Sequence, residues 1–129
     1  MAQAVKICGR NTDFYVLLSV YWNPRHDDSI YDCLLTSMAE AQRKDHKPFF
    51  IIPGDFNVHH VEWLESVSNT DHHGTAAHDV AAASGCRQLV EGPIHDSGNI
   101  LDLVITDVPC VVDVQVLSPI GKSDHAALV

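Results

Sequence analysis

Apolar residues are distributed along the chain in two distinct patterns. Phe14 to Tyr21 is a continuous apolar run between Asp13 and Asn23-Pro24, and it predicts a strand buried on both faces. Asp27 to Lys44 instead spaces Ile30, Leu34, Leu35, Met38 and Ala41 at helical intervals. Asp27, Asp28 and Ser29 offer acceptors at its start, and Arg43 and Lys44 suit the negative end of the helix dipole. Lys47 to Pro53 is a second short, buried strand that leads into Gly54-Asp55-Phe56-Asn57. Val58 to Gly74 is polar and rich in His, Ser, Asn and Asp, the composition of a long surface loop. Thr75 to Ser84 is Ala-rich and predicted helical, with Gly85 as its stop. Cys86 to Val90 and Asn99 to Thr106 read as strands flanking a turn at Gly92 to Gly98, and Val111 to Leu117 alternates as a half-exposed strand does. Ile120 to Ser123 is a loop, and Asp124-His125 stands where a last strand begins. Strand, helix and strand in succession predict a layered α/β fold.

Composition narrows the class. A chain of 129 residues has the size of one domain, so residues 1–129 are read as a single unit, and 46% apolar residues suffice for a core. No apolar run approaches the roughly 20 residues that span a bilayer, and the start lacks the order of a signal peptide, so an intracellular protein, nuclear or cytoplasmic, is expected. The four cysteines form no CxxC pair, consistent with reduced thiols. A net charge of −9 disfavours a basic nucleic-acid-coating protein but accommodates an acidic site that a cation neutralises. Nine histidines, with His59-His60 and His72-His73 adjacent, raise the question of zinc. Adjacent histidines on a strand point to opposite faces and no cysteine stands at finger spacing, so structural zinc is not favoured.

Three polar clusters fall at strand boundaries: Gly54-Asp55-Phe56-Asn57, Asp102 in Leu101-Asp102-Leu103, and Ser123-Asp124-His125. In layered α/β folds such strand ends carry function more often than the opposite edge. Asp102 is a carboxylate within an apolar strand, where an unpaired charge costs several kcal/mol. It needs a partner, and His125 is the expected one; a carboxylate on one ring nitrogen would orient the imidazole and favour its charged form. Any one cluster alone is adequately explained as a turn or cap. All three, each at the edge of an apolar strand, point to a site.

Together these residues resemble the motifs of the endonuclease/exonuclease/phosphatase superfamily, which includes deoxyribonuclease I-like enzymes, apurinic/apyrimidinic endonucleases and the nucleases of non-long-terminal-repeat retrotransposons. Val20-Tyr21-Trp22-Asn23-Pro24 is similar to the Tyr-bearing motif of that superfamily, and Phe56 to Trp63 and Gly92-Pro93-Ile94-His95 are similar to the retrotransposon branch. The resemblance implies a partial four-layer α/β sandwich of the deoxyribonuclease I-like type, missing N-terminal strands that a longer parent chain would supply. It implies metal-dependent phosphodiester hydrolysis, with DNA as substrate and Mg²⁺ or Mn²⁺ as cofactor; no membrane is expected, and the sequence gives no evidence for a protein partner. Asp55 would align and deprotonate the attacking water and Asn57 would orient it. Asp124 would ligate the metal. His125, oriented by Asp102, and Tyr21 would contact the scissile phosphate. His60 and Trp63 would line the substrate groove, whereas His78 is expected to face solvent.

One family feature is missing. The superfamily draws a metal-ligating glutamate from strands upstream of the tyrosine motif, yet the first glutamate here is Glu40, inside a predicted helix. The expectation is therefore an N-terminally truncated domain of marginal stability, weak metal binding and low nuclease activity. Two alternatives stand beside the nuclease: a catalytically dead fragment or binding remnant, and a phosphatase acting on a lipid or inositol phosphate.

Overall fold

In the computed structural model the residues described are 3–8, 13–18, 27, 29–43, 48–57, 60, 63, 70–91, 102–109 and 114–129. Among them, strand β1 (Gln3–Cys8), β2 (Asp13–Leu18), β3 (Phe49–Asp55), β4 (Arg87–Gln88) and β5 (Asp102–Thr106) form one sheet in the order β1-β2-β3-β5-β4. Helix α1 (Ser29–Gln42) connects β2 to β3, which are parallel, as a crossover must, and α2 (His72–Ala83) precedes β4. A separate two-stranded ribbon pairs β6 (Val116–Leu117) with β7 (Ala127–Leu128).

Both predicted helices form, one of them with a different start. α1 occupies the interval predicted for it, with Asp27 accepting from the Ser29 backbone N–H at 3.1 Å and so covering a donor at its start. Its buried Tyr31 and Met38, flanked by half-buried Leu34 and Ala41, form one face. α2 begins at His72 rather than Thr75, because Asp71 is its N-cap and accepts from the Gly74 N–H at 2.5 Å. It ends in a Schellman turn: the Cys86 N–H donates to Ala81 O at 2.8 Å and Gly85 sits at φ 67°. The polar loop expected through Gly74 is shorter by that turn.

The strands differ more. β1 lies outside the predicted elements and pairs antiparallel along the whole of β2. β2 starts one residue before the predicted strand, and Ser19 to Tyr21 lie outside the described residues. β3 runs on through Pro53 to Asp55 because its register with β2 covers only Phe49 to Ile51. Beyond Ile51, among the described residues, it pairs with β5 alone, so the N–H that Pro53 lacks is not missed there. The strands predicted over 86–90 and 111–117 shrink, among the described residues, to Arg87–Gln88 and Val116–Leu117.

Alternation along β3 and β5 gives the sheet two different faces. Phe50, Ile52, Leu103 and Ile105 share one, and Ile52, Ile105 and Phe56 meet Tyr31, Met38, Ala77 and Val80 in the apolar layer beneath both helices. Ile51, Pro53, Asp55, Asp102, Val104 and Thr106 take the other face by the same alternation. Val116, Ala126 and Leu128 of the ribbon segment join the core. The charged ends of β3 and β5 therefore lie on the face away from the helices.

Candidate active site

Register brings the first two site residues together. In the antiparallel β3–β5 pair, Asp55 stands directly opposite Asp102, the last residue of one strand against the first of the other. Like charges facing each other across a strand pair are destabilising. At a separation within 4.8 Å the gross Coulomb repulsion is about 3 kcal/mol at an effective dielectric near 20. Two aspartates in register favour a positive group beside them.

His125 is part of that answer. Its Nδ1 lies 2.8 Å from Oδ2 of Asp102, and since a carboxylate only accepts, Nδ1 carries the hydrogen and donates it. The backbone N–H of His125 donates to Ser123 Oγ at 3.1 Å, so the Ser-Asp-His turn holds the ring's attachment point. The hydrogen bond to Asp102 raises the His125 pKa above its ordinary 6.5; burial opposes the rise, and the charges of Asp102, Asp55 and Asp124 reinforce it. Asp55, Asp102 and His125 form the group of acidic and histidine side chains, among the described residues, whose ligand atoms could share a metal ion.

The other predicted residues divide. Asn57 follows Asp55 in a left-handed backbone, φ 48°, and its N–H donates to Asp55 Oδ1 at 3.1 Å, fixing that carboxylate against the strand end. Buried Phe56 anchors the segment from the helix side. Asp124 is exposed and stands beside the cluster, its Oδ1 3.9 Å from His125 Nε2. Tyr21 lies outside the described residues. Glu40 is exposed on α1, which packs against the opposite face of the sheet, so it does not stand in for the upstream glutamate.

His60 and Trp63 come together with a residue that sequence reasoning set aside. The rings of His60 and His78 stack at 4.2 Å between centroids and 2° between planes, and Trp63 tilts against both at 5.3 and 5.4 Å. His60 is buried and His78 half-buried, which corrects the expectation that His78 faces solvent. The signal for His78 was weak, since one histidine in an Ala-rich helix reads as surface until its loop partner is known. His72 and His73, tilted at 5.8 Å, form a separate pair. Among the described cysteines, Cys33 and Cys86 are free thiols; burial, aided by Asp107, pushes the Cys86 pKa up to about 12, so it is inert as a nucleophile.

The strand-end carboxylates, the oriented imidazole and the mixed sheet define a chain of the deoxyribonuclease I-like type. The comparisons agree. A family model described as endonuclease–reverse transcriptase matches residues 15–129, and the chain belongs to that family, within the endonuclease/exonuclease/phosphatase superfamily. Five chains of solved structure match significantly. One is the endonuclease domain of TRAS1, a telomere-specific non-LTR retrotransposon, with a TM-score of 0.75 at 20% identity. The match covers 98% of this chain and 59% of that one, and at such identity it shows a shared fold. No curated protein matches the sequence significantly. Among the described residues no helix is long and apolar enough to cross a membrane.

Proposed function

We propose that this chain carries the catalytic face of a metal-dependent endonuclease that nicks DNA, as the nuclease domain of a retroelement does. The observation that supports it most is the in-register pair Asp55 and Asp102 with His125 bonded across to Asp102. The two aspartates facing each other cost folding energy, a cost more readily explained by chemistry than by packing. The solved relative is an endonuclease domain of a retrotransposon, which is the chemistry these residues suit.

Each residue has a role that follows from its placement. Asp55, oriented by the Asn57 N–H, presents a carboxylate able to accept a proton from an attacking water. Asp102 holds His125 in one tautomer and favours its protonated state, so that the imidazolium opposes the charge that accumulates on a phosphate. Asn57 would orient water or phosphate, and Tyr21 would add a hydroxyl donor. His60 and Trp63 would flank the substrate from the loop docked on α2. The oxygen-rich donors fit a hard cation, Mg²⁺ or Mn²⁺, better than zinc, and Asp124 would ligate it at the edge of the Asp55, Asp102 and His125 group. When bound, the ion would supply Lewis-acid stabilisation of the phosphodiester.

A supercoiled-plasmid nicking assay with and without Mg²⁺ tests this reading. Metal-dependent nicking that disappears in both His125→Ala and Asp124→Ala supports it. Release of phosphate from inositol or lipid headgroups without nicking would replace it with the phosphatase, and inactivity on both substrates with intact folding would replace it with a non-catalytic remnant.

A further inference from the structure

The turn that delivers the Ser-Asp-His segment has an unusual composition. It joins β6 to β7, and its residues from Ser118 to Asp124 are all exposed. Ile120 is 78% exposed, more than any other large apolar side chain among the described residues. A single exposed isoleucine is ordinary on a protein surface, and alone it would mean nothing. Its setting is what carries weight. Turn tips favour polar residues, and this one places its apolar side chain five positions before His125.

Two further features point to a nucleic-acid ligand. Lys122 is the only lysine or arginine after Arg87 in the sequence, within a stretch that holds six acidic residues, and it stands two positions from Asp124. A cation two positions from Asp124 serves a polyanion approaching that carboxylate better than it serves solubility. Local chemistry also shapes the turn. Pro119 fixes one φ, the Ser123 N–H donates to Ile120 O at 3.3 Å, and Gly121 at φ 67° reverses the chain between Ile120 and Lys122. An added Cβ at Gly121 would meet nothing within 4 Å, so glycine is there for its backbone and not for close packing.

We infer that the 119–122 turn is a duplex-reading tip: Lys122 contacts a backbone phosphate next to the scissile bond, and Ile120 wedges against a base step. This rests on the DNA-nicking reading and names the element that would seat the duplex. An apolar wedge with an adjacent cation suits double-stranded DNA, where unstacking a base step and neutralising a phosphate occur side by side. The proposed division of labour gives the two residues different signatures. Loss of Lys122 should weaken binding on all sequences alike and lower the salt slope by about one counterion. Loss of Ile120 should leave the salt slope intact and remove the base-step distortion.

The test is binding of a labelled DNA duplex bearing 2-aminopurine, in Ca²⁺ to prevent cleavage, across a salt series. Wild-type chain, Ile120→Ser, Ile120→Met, Lys122→Gln and Lys122→Arg are compared. Support takes this form: wild type brightens 2-aminopurine, Ile120→Ser binds about tenfold more weakly without brightening, and Ile120→Met restores both. Lys122→Gln lowers the salt slope by about one and Lys122→Arg restores it. Equal binding by all five proteins overturns the tip while leaving the nuclease reading in place. Failure of the wild type to bind duplex at any salt overturns both. A change in sedimentation confined to the Ile120 variants, with duplex binding unaltered, assigns the surface to a second copy of the chain and also overturns it.

Discussion

The β3–β5 strand pair carries an aspartate at each end of β5, and the two ends behave oppositely. At one end Asp107 accepts from the Phe50 N–H at 2.6 Å, and the neighbouring Thr106 hydroxyl donates to Phe50 O at 2.7 Å while accepting from the Val108 N–H at 3.1 Å. Backbone groups satisfy these side chains, and their work is to lock the ladder. At the other end Asp102 faces Asp55, a like charge, and takes its bond from a side chain twenty-three residues away. The two aspartates flank the same apolar strand and look alike in sequence. What separates the two is that Asp107 is bonded by a backbone donor and Asp102 by a titratable side chain, the arrangement more often found at functional sites.

The largest expected contrast is kinetic. Asp55→Asn, Asp102→Asn and His125→Ala should each reduce plasmid nicking by roughly 10²- to 10³-fold, with circular dichroism unchanged. Asp107→Asn should cost activity only in proportion to any unfolded fraction. A loss of nicking in Asp107→Asn at full folding equal to that of Asp102→Asn would erase the distinction between the two ends.

Next in size is stability. Asp107→Ala leaves the Phe50 N–H without its side-chain acceptor and should destabilise by about 1–3 kcal/mol in urea melts, with Thr106→Val costing about 1 kcal/mol. At the site end the sign reverses. Without metal, Asp55→Asn removes a like-charge opposition and should leave stability unchanged or raise it by up to about 1 kcal/mol. Marked destabilisation by Asp55→Asn in chelator would show that this end is also a structural clamp.

The site end should also respond to pH in one direction. The folded-state pKa of His125 is raised above 6.5, so the Asp102 bond contributes stability fully present below about pH 6.5 and lost as pH rises through the folded value. The Tm of wild type minus that of Asp102→Asn, in chelator, should therefore be greatest near about pH 6 and shrink toward about pH 9. A flat difference would mean that the pair contributes no proton linkage. The smallest effect concerns Asn57: Asn57→Gly relieves the left-handed backbone and should change urea stability by less than about 0.5 kcal/mol, whereas Asn57→Ala should cost about 1 kcal/mol.

Local rules made much of this legible. Helical spacing located α1 within two residues at each end, and the apolar runs located β3 and β5. The start of α2 was written in Asp71, three residues before Gly74, but the His-His-Gly sequence read as loop. β1 gave little signal because Val5-Lys6-Ile7 alternates over too few residues to stand out. The cost of a lone carboxylate in an apolar strand was enough to name His125 as the partner of Asp102, and the 2.8 Å contact bears that out.

What the sequence by itself determined was the set of chemical groups and the obligation of Asp102 to find a partner, since propensity, periodicity and desolvation act on residues wherever they lie. Only the tertiary structure decided that Asp55 would meet Asp102 in register, that Asp107 would be spent on the backbone of Phe50, and that His60 would stack on His78. Strand register and loop docking depend on contacts between residues far apart in the chain. A one-residue slip would have turned the same aspartates to the opposite face without changing a letter of the sequence.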